Sequence, residues 1–471
     1  MDTADSEKPK IFVNAAVNWL GFLVQIGITF FLTPILFGAL GKDRYGIFSV
    51  VESILTYLML FDFGVGASVV RYVSKFEATR DQQSLNRVFS TSLCIFSVAG
   101  FFVFALAAAV AGWALPLIKV SVFQIRPELM EQSRWLLVLL GLNLGLGFPL
   151  GVFACLLDGL RRFPAKMAIR TSVLVLRGIL LVIILGQGGG LIHVGAVITA
   201  CSLLEYIGLA FAARAYLPGL RFSLALIDRE TFRTIGGYSI HAFLIMVAGR
   251  ICFQTDALVI FPALGPAAVA VFAIAAKLVE YSKDSLRVIT SVLTPSVSVL
   301  DARGNIDAIR RLLIKSTRYV LWLILPVQIG LLALGKPFIG LWMENPELAE
   351  LCFPILVILA APMALTISQS VSMRILYGTS RLRWFARFSL VEAVANLVLS
   401  VILVQYCNLE GVALGTMIPN ILLNVGLLVY ICRGFQVPIK EYLRRSFMPP
   451  LIPATILAGF WLWVASVWNL E

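Results

Sequence analysis

Charged residues interrupt an apolar run near the middle of the chain: Lys277, Glu280, Asp284 and Arg287, with Lys283 beside them. Intervals of three, four and three residues put the four on one helical face, where bases and acids meet a turn apart. One apolar run earlier stand Arg250, Gln254 and Asp256, and the second run carries Asp62 and Arg71. Bases in an apolar surrounding can hold an anion, and carboxylates there can take up and release a proton or another cation. We therefore read Arg71, Arg250, Lys277, Lys283 and Arg287 as substrate-binding candidates, and Asp62, Asp256 and Glu280 as ion-coupling candidates. Asp62 and Arg71 are nine residues apart and fall on opposite sides of one predicted helix, about 13 Å apart in rise, too far to pair. The alternating charges of 277–287 would also serve as a self-neutralising stripe, which still demands a wet cavity. Glu52, Arg177, Glu205 and Glu392 are further charges within apolar runs.

A second pattern is uncharged. Asn14, Asn18, Gln25, Thr29 and Thr33 follow at intervals of four, seven, four and four, a single polar stripe on the first apolar run. Such a stripe bonds a neighbouring helix or faces water. Because the seventh run also carries Gln254, cavity lining is the expectation for Asn14, Asn18, Gln25, Thr29 and Gln254. Pro34 and Pro262 sit near the ends of these two runs, where a bend could gate a path.

The elements that hold these residues are membrane helices. Of 471 residues 59% are hydrophobic and 14% charged, and the mean hydropathy is +0.92. An ordinary soluble chain has about 25% charge. Apolar runs of about 20 residues without strict alternation exclude a soluble core and a β-barrel. About thirteen spans are predicted, near 12–38, 45–74, 88–111, 130–157, 171–187, 191–215, 236–261, 267–300, 319–341, 353–376, 388–405, 411–432 and 448–468. With the N-terminus inside, the inner segments hold 27 of the 38 Lys and Arg residues, the outer segments six, and five remain at membrane depth. That asymmetry orients the chain with its N-terminus cytoplasmic. The net charge of +12 is thus a topology signal, not a nucleic-acid surface.

Several chemistries are set aside by what the residues lack. Seven cysteines, none in a CxxC, lie mostly within apolar runs, which argues against a disulfide framework or a zinc site. His193 and His241 are isolated, so no metal is expected. Gly186–Gly190 has no following Lys-Ser/Thr and reads as a turn rather than a phosphate cradle, and no Walker sequence occurs. No cofactor and no catalytic residue are expected; a glycan polymerase or ligase would need a sizeable outer loop, which the chain lacks. Met1–Lys10 is polar without a signal-cleavage pattern, so the first span is expected to be retained. Gly141, Gly145, Gly147 and Gly151 have the small-residue spacing of close helix packing, and Trp113, Trp135, Trp342 and Trp468 sit where interfacial anchors belong.

The chain is internally duplicated. Phe37, Ala39, Leu40, Gly41 and Phe48 match Phe261, Ala263, Leu264, Gly265 and Phe272 at a constant offset of 224, and Arg87 precedes Arg311 by the same distance. Leu156-Leu157-Asp158-Gly159 with Arg162 parallels Ile375-Leu376-Tyr377-Gly378 with Arg381, and Gly195-Ala196-Val197 parallels Gly411-Val412-Ala413. Six spans per copy make the two copies enter the membrane alike, with a cavity between them. The expected division is 1–220 and 221–435 as six-helix bundles, with 436–471 an extra C-terminal transmembrane helix.

Leu40-Gly41, Tyr45-Gly46-Ile47-Phe48, Asp62-Phe63-Gly64 and Arg71, in that order, resemble the N-terminal signature of bacterial polysaccharide flippases. These form part of the multidrug/oligosaccharidyl-lipid/polysaccharide exporter (MOP) superfamily, and the Gly159 and Gly411 neighbourhoods agree. The resemblance implies an all-α membrane protein of two six-helix bundles in a V around a central cavity, in the bacterial inner membrane. It implies flipping of undecaprenyl-diphosphate-linked oligosaccharide from the cytoplasmic to the outer leaflet by alternating access. The implied partners are that lipid-linked oligosaccharide, the bilayer, a coupling proton or sodium ion and glycan polymerases, with no nucleic acid. A thirteenth span departs from the family's usual twelve or fourteen. A drug or metabolite antiporter of the same superfamily, or a lipid-linked peptidoglycan precursor flippase, is the rival; a drug antiporter would favour an acid-lined cavity over membrane-depth bases.

Overall fold

The computed structural model describes residues 3–114, 127–228, 230–232, 247, 255–291, 293–379 and 381–467; among them there is no strand. Side chains of residues 1–19 and of Arg287 lie outside that description, as do Arg250 and Gln254 entirely. Contacts divide the chain into two units, Met1–Phe243 and Leu244–Glu471.

In the first unit α1 runs Thr3–Leu58, α2 Val65–Ala78, α3 Gln82–Ala109, α4 Pro127–Gly159, α5 Phe163–Gly186 and α6 Leu191–Tyr216. A straight helix of 56 residues would be about 84 Å long, far beyond a hydrocarbon core of about 30 Å. The chain resolves this at Gly41, whose φ of 76° and ψ of 171° break the helix where a Cβ would be strained. Phe37 and Tyr45 meet edge to face across the bend, their ring centroids 5.6 Å apart. The departure from helical geometry falls on Gly41, not on Pro34.

The second predicted span is not one helix. It stops in a 3₁₀ turn, Met59–Asp62, passes through left-handed Phe63 and Gly64, and resumes as α2. Asp62 and Arg71 therefore do not share a helix, which corrects the 13 Å separation inferred from the sequence. Asp62 Oδ1 instead accepts the Gly66 backbone N–H at 3.2 Å, supporting the start of α2.

Close packing follows the small residues. A Cβ on Gly145 would stand 2.8 Å from the Gly100 carbonyl oxygen, so α3 and α4 cross backbone to backbone. Gly141 lies against Ala107, and Gly147 leaves room for the Tyr206 ring, whereas Gly151 meets nothing. Lys166 pairs with Asp158, and Arg170 reaches Glu205 at 3.0 Å, joining α5 to α6.

The second unit comprises α7 Thr255–Leu264, α8 Pro266–Ser291, α9 Leu293–Ala302, α10 Ile306–Trp342, α11 Pro346–Ala360, α12 Met363–Gly378, α13 Arg383–Gly434, α14 Ile439–Ser446 and α15 Met448–Val467. The predicted tenth span is broken: α11 and α12 meet at 42° around Ala361 and Pro362. Buried Gln328 of α10 satisfies the break. Its amide donates to the carbonyls of Ala360 (3.1 Å) and Ala361 (2.8 Å), and its Oε1 accepts from the Ala364 N–H at 3.1 Å. α13 is again too long for one crossing and reverses at Cys407 and Asn408. Its arms then pair in antiparallel register, Ser400 with Val412, Asn396 with Thr416 and Glu392 with Asn420. α15 packs on α10, so the C-terminal helix belongs to this unit.

The duplication read from the sequence reappears as matching contacts inside each unit. Ser74 Oγ donates to the Gly159 carbonyl at 2.7 Å, and Ser298 Oγ, 224 residues on, to the Gly378 carbonyl at 3.0 Å. Gly159 and Gly378 each sit where a Cβ would strike a valine, Val73 and Val297. Asp81 caps α3 through the Ser84 N–H, and Asn305 caps α10 through the Ala308 N–H. Asn86 donates to the Gly219 carbonyl at 3.1 Å; its counterpart Arg310 donates to the Phe435 carbonyl at 2.6 Å. The segment after α6 is thus strapped onto the start of α3, and the segment after α13 onto the start of α10.

Candidate functional site

The second unit contains a ladder of polar side chains within apolar helices. Its upper rung is Asn396, whose amide donates to Thr416 Oγ1 at 3.0 Å, while the Thr416 hydroxyl donates to Asp256 Oδ1 at 3.0 Å. Asp256 is buried, 8% exposed, near the start of α7. One turn along both arms lies the lower rung. Here the Asn420 amide donates to Glu392 Oε1 at 2.8 Å, and its Oδ1 accepts from Thr366 Oγ1 at 2.7 Å. Asn424 continues the row by donating to the Asn420 carbonyl at 2.7 Å.

The local sequence makes this arrangement. Glu392, Asn396 and Ser400 recur every four residues on one arm of α13, and Val412, Thr416, Asn420 and Asn424 on the other. Intervals of four bring each row onto one face, and the reversal at Cys407 and Asn408 turns the faces together. A polar group inside hydrocarbon is costly without a partner, so the rows bond each other and the helices behind them. The Asn396 Oδ1 is buried and has no hydrogen-bond partner among the described residues.

The sequence-derived candidates are placed unevenly. Asp256 joins the ladder, and Lys283 is half-buried on α8. Lys277 and Asp284 are half-buried on α8, and Glu280 is exposed there. Arg71 is exposed on α2, its guanidinium 5.9 Å from the Tyr72 ring centroid. Gln25 is exposed and Thr29 half-buried; the hydroxyls of Thr29 and Thr33 turn back to the carbonyls of Gln25 and Thr29, both at 2.8 Å. Arg250 and Gln254, and the side chains of Asn14, Asn18 and Arg287, lie outside the described residues. The sequence reading singled out neither Asn396, Thr416, Asn420 nor Thr366, and left Glu392 without a role. The mirrored four-residue spacing on either side of Cys407-Asn408 was the signal that marks those on α13; Thr366, on α12, has no such signal.

The first unit has a cavity of about 510 Å³ where α2 and α3 meet the segment after α6. Lys75, Arg87, Asp228 and Glu230 are among the residues that line it. Asp228 is held below the usual carboxylate range by hydrogen bonds from Thr231 and by the Arg87 charge.

Long apolar helices in two units that repeat the same contacts give a fold shared with solved transporters. Among solved structures, the chain resembles an inward-facing multidrug resistance MATE family transporter of the MOP superfamily, with a TM-score of 0.75 at 15% identity, covering 88% of this chain and 95% of the other. It also resembles the lipid II flippase MurJ in an inward closed conformation, with a TM-score of 0.68 at 13% identity over 97% and 98% of the two chains. Residues 11–300 match the family described as polysaccharide biosynthesis protein, and the chain belongs to that family. A putative O-antigen transporter of Salmonella typhi is 28% identical over 72 residues, 15% of this chain and 17% of that protein. A putative O-antigen export protein of Yersinia pseudotuberculosis is 30% identical over 95 residues, 20% and 22% of the two. The matched stretches thus span less than a quarter of these relatives. Among the described residues seven helices, or eight when α11 and α12 count as one span, are long and apolar enough to cross a membrane, and the relatives and solved structures named here are transporters, an export protein and a flippase.

Proposed function

We propose that this protein flips an undecaprenyl-diphosphate-linked oligosaccharide from the cytoplasmic to the outer leaflet by alternating access, its N-terminus cytoplasmic. The observation that carries the reading is the polar ladder between apolar helices in a polysaccharide-biosynthesis chain. A diphosphate crossing hydrocarbon needs cations along a hydrated path, and Arg250, Lys277, Lys283 and Arg287 supply them, with Arg71 at the entrance. Residues 1–220 and 221–435 act as the two rocking bundles, and 436–471 adds a helix to the second. Asp256 carries the coupling proton or sodium ion, since among the described residues its buried carboxylate is held by the Thr416 hydroxyl. Asp62 and Glu280 are secondary coupling candidates, and Asn14, Asn18, Gln25, Thr29 and Gln254 line the path. The named relatives, an O-antigen transporter and an O-antigen export protein, support a glycan cargo over a drug. Adjacent glycan polymerases would receive the product.

The test is complementation of a flippase-null strain. Arg250→Ala combined with Lys277→Ala is expected to abolish surface glycan at unchanged protein level, and normal export by that double variant would overturn the assignment. Asp256→Asn, assayed in proteoliposomes, is expected to transport without response to an imposed proton or sodium gradient. An unaltered response would remove Asp256 from the coupling role.

A further inference from the structure

The cavity enclosed by α2, α3 and the segment after α6 has had no role so far. Its volume of about 510 Å³ falls in the range of about 300–1,000 Å³ usual for small-molecule sites. Its third wall is pinned to α3. Asn86 Oδ1 accepts the Arg221 N–H at 3.1 Å, the Asn86 amide donates to the Gly219 carbonyl at 3.1 Å, and Ser90 Oγ accepts the Ser223 N–H at 3.2 Å. Asp228 closes the far end of that wall by accepting the Thr231 N–H at 2.5 Å and the Thr231 hydroxyl at 2.7 Å. Two bases reach the cavity from separate helices, Lys75 from α2 and Arg87 from α3. Neither side chain makes a hydrogen bond or an ion pair among the described residues; the Lys75 ammonium lies 5.6 Å from the Phe76 ring centroid. Tyr72 and Phe76, stacked at 6.2 Å and 25°, give the cavity an apolar side.

The internal duplication isolates what is particular to this place. At the offset of 224 that carries Ser74 onto Ser298, the residues Tyr72, Lys75, Phe76 and Ser84 fall on Ser296, Val299, Leu300 and Ala308. Of this cavity-lining set only Arg87 recurs, as Arg311. Both units make the same helix crossing at Ser74 and Ser298, so that packing does not call for the aromatic pair, the lysine or the serine.

We propose that this cavity binds a glycosyl phosphate, with Lys75 and Arg87 taking the phosphate and Asp228 and Glu230 accepting from the sugar hydroxyls. Lysine and arginine are the side chains suited to phosphate oxygens, and here both are open to an incoming anion. A carboxylate offers about four acceptor positions, so Asp228 keeps capacity beyond the two that Thr231 uses. A bare anion would meet the carboxylates of Asp228 and Glu230 with like charge. A sugar carried on the phosphate presents hydroxyl donors to them instead, and its C–H face lies against the Tyr72–Phe76 side. The same chemistry is carried by a free sugar phosphate and by the headgroup of a lipid-linked glycan. In the second case the cavity receives the cargo before it enters the path, which rests on the flippase reading.

The experiment uses the full-length protein in phosphatidylcholine nanodiscs and reads amide hydrogen exchange by mass spectrometry, which reports on the cavity alone. The probes are glucose 1-phosphate, glucose, inorganic phosphate and farnesyl-diphosphoryl N-acetylglucosamine. Glucose 1-phosphate should slow exchange at residues 72–76 and 225–231, at concentrations where glucose or phosphate alone has little effect. Lys75→Ala should raise the half-saturating concentration about tenfold, the loss of one charge-assisted contact, and Glu230→Gln should raise it less. Arg311→Ala, at the matching place in the second unit, should leave it unchanged. Slowing of the same segments by the farnesyl probe, with the same dependence on Lys75, supports the cavity as a reception site for lipid-linked cargo. Slowing by glucose 1-phosphate alone supports a site for a free sugar phosphate. No slowing by either sugar probe, slowing matched by inorganic phosphate alone, or slowing that Lys75→Ala leaves unchanged overturns the site. Complementation of the flippase-null strain is scored separately, so surface glycan made by the Lys75→Ala variant keeps the flippase reading standing when the cavity fails.

Discussion

Thr416→Val is the sharpest probe of the ladder. The substitution keeps the shape of the side chain and removes the one oxygen that both accepts from Asn396 and donates to Asp256. Two interhelical hydrogen bonds disappear, and the buried amide of Asn396 is left without its acceptor. Hydrogen bonds between membrane helices average about 0.6 kcal/mol and reach about 1.7 kcal/mol. Two of them, one to a carboxylate, should together contribute about 1–3 kcal/mol. For a unit of this size each kcal/mol shifts the melting temperature by roughly 2–4 °C, so a fall on the order of 5 °C is expected in detergent. Thr416→Ser restores the oxygen and should recover most of the loss. In a double-mutant cycle, Asn396→Leu added to Thr416→Val should cost less than the sum of the single changes, because they remove a shared bond. The measurement is a thermal melt followed by size-exclusion chromatography. If Thr416→Val melts with the unmodified protein, or if the cycle is additive, the rung does not hold these helices together.

Other outcomes follow from the same reasoning. Gly145→Val should lower stability by about 1–3 kcal/mol, since its Cβ would press on the Gly100 carbonyl, while Gly151→Ala, in open space, should be neutral; melting curves of both variants decide the point. Gln328→Leu should destabilise by about 1–3 kcal/mol by leaving the α11–α12 break unsatisfied, with faster proteolysis around Ala361 as the readout. The two equivalent helix caps should differ with pH. Asp81 is held below the usual carboxylate range, chiefly by its hydrogen bonds from Ser84. Its folded value is depressed, so its contribution is present above that range and is lost as pH falls through the lowered value. Hydrogen exchange at the Ser84 amide should therefore lose protection on acidification, while the Ala308 amide under Asn305 should not respond through its cap. Asp81→Asn should remove that difference.

Much of the architecture was legible in the sequence because membrane insertion is a strong constraint. Runs of about 20 apolar residues had to become helices, since backbone groups in hydrocarbon must bond internally. The duplication was legible because two glycines, Gly41 and Gly265, keep the positive φ that other residues rarely adopt (76° and 83°), and selection for that geometry leaves the residue type visible. The breaks at Phe63-Gly64 and at Ala361-Pro362 were not legible as breaks. Each lies inside a run whose hydropathy is continuous, and a break becomes tolerable only when a side chain such as Gln328 or Asp62 is in reach.

By itself, the sequence determined that this is a helical membrane chain with charges inside apolar runs, because composition and the length of those runs favour membrane helices over every other class. Which charges form a site was decided only in three dimensions. Asp256 and Thr416 are 160 residues apart, and Thr366 and Asn420 54 residues apart. Hydropathy treats each as an isolated polar residue. Only the reversal of α13 and the packing of α12 against it set them side by side, where each supplies the hydrogen bond that makes the other's burial bearable.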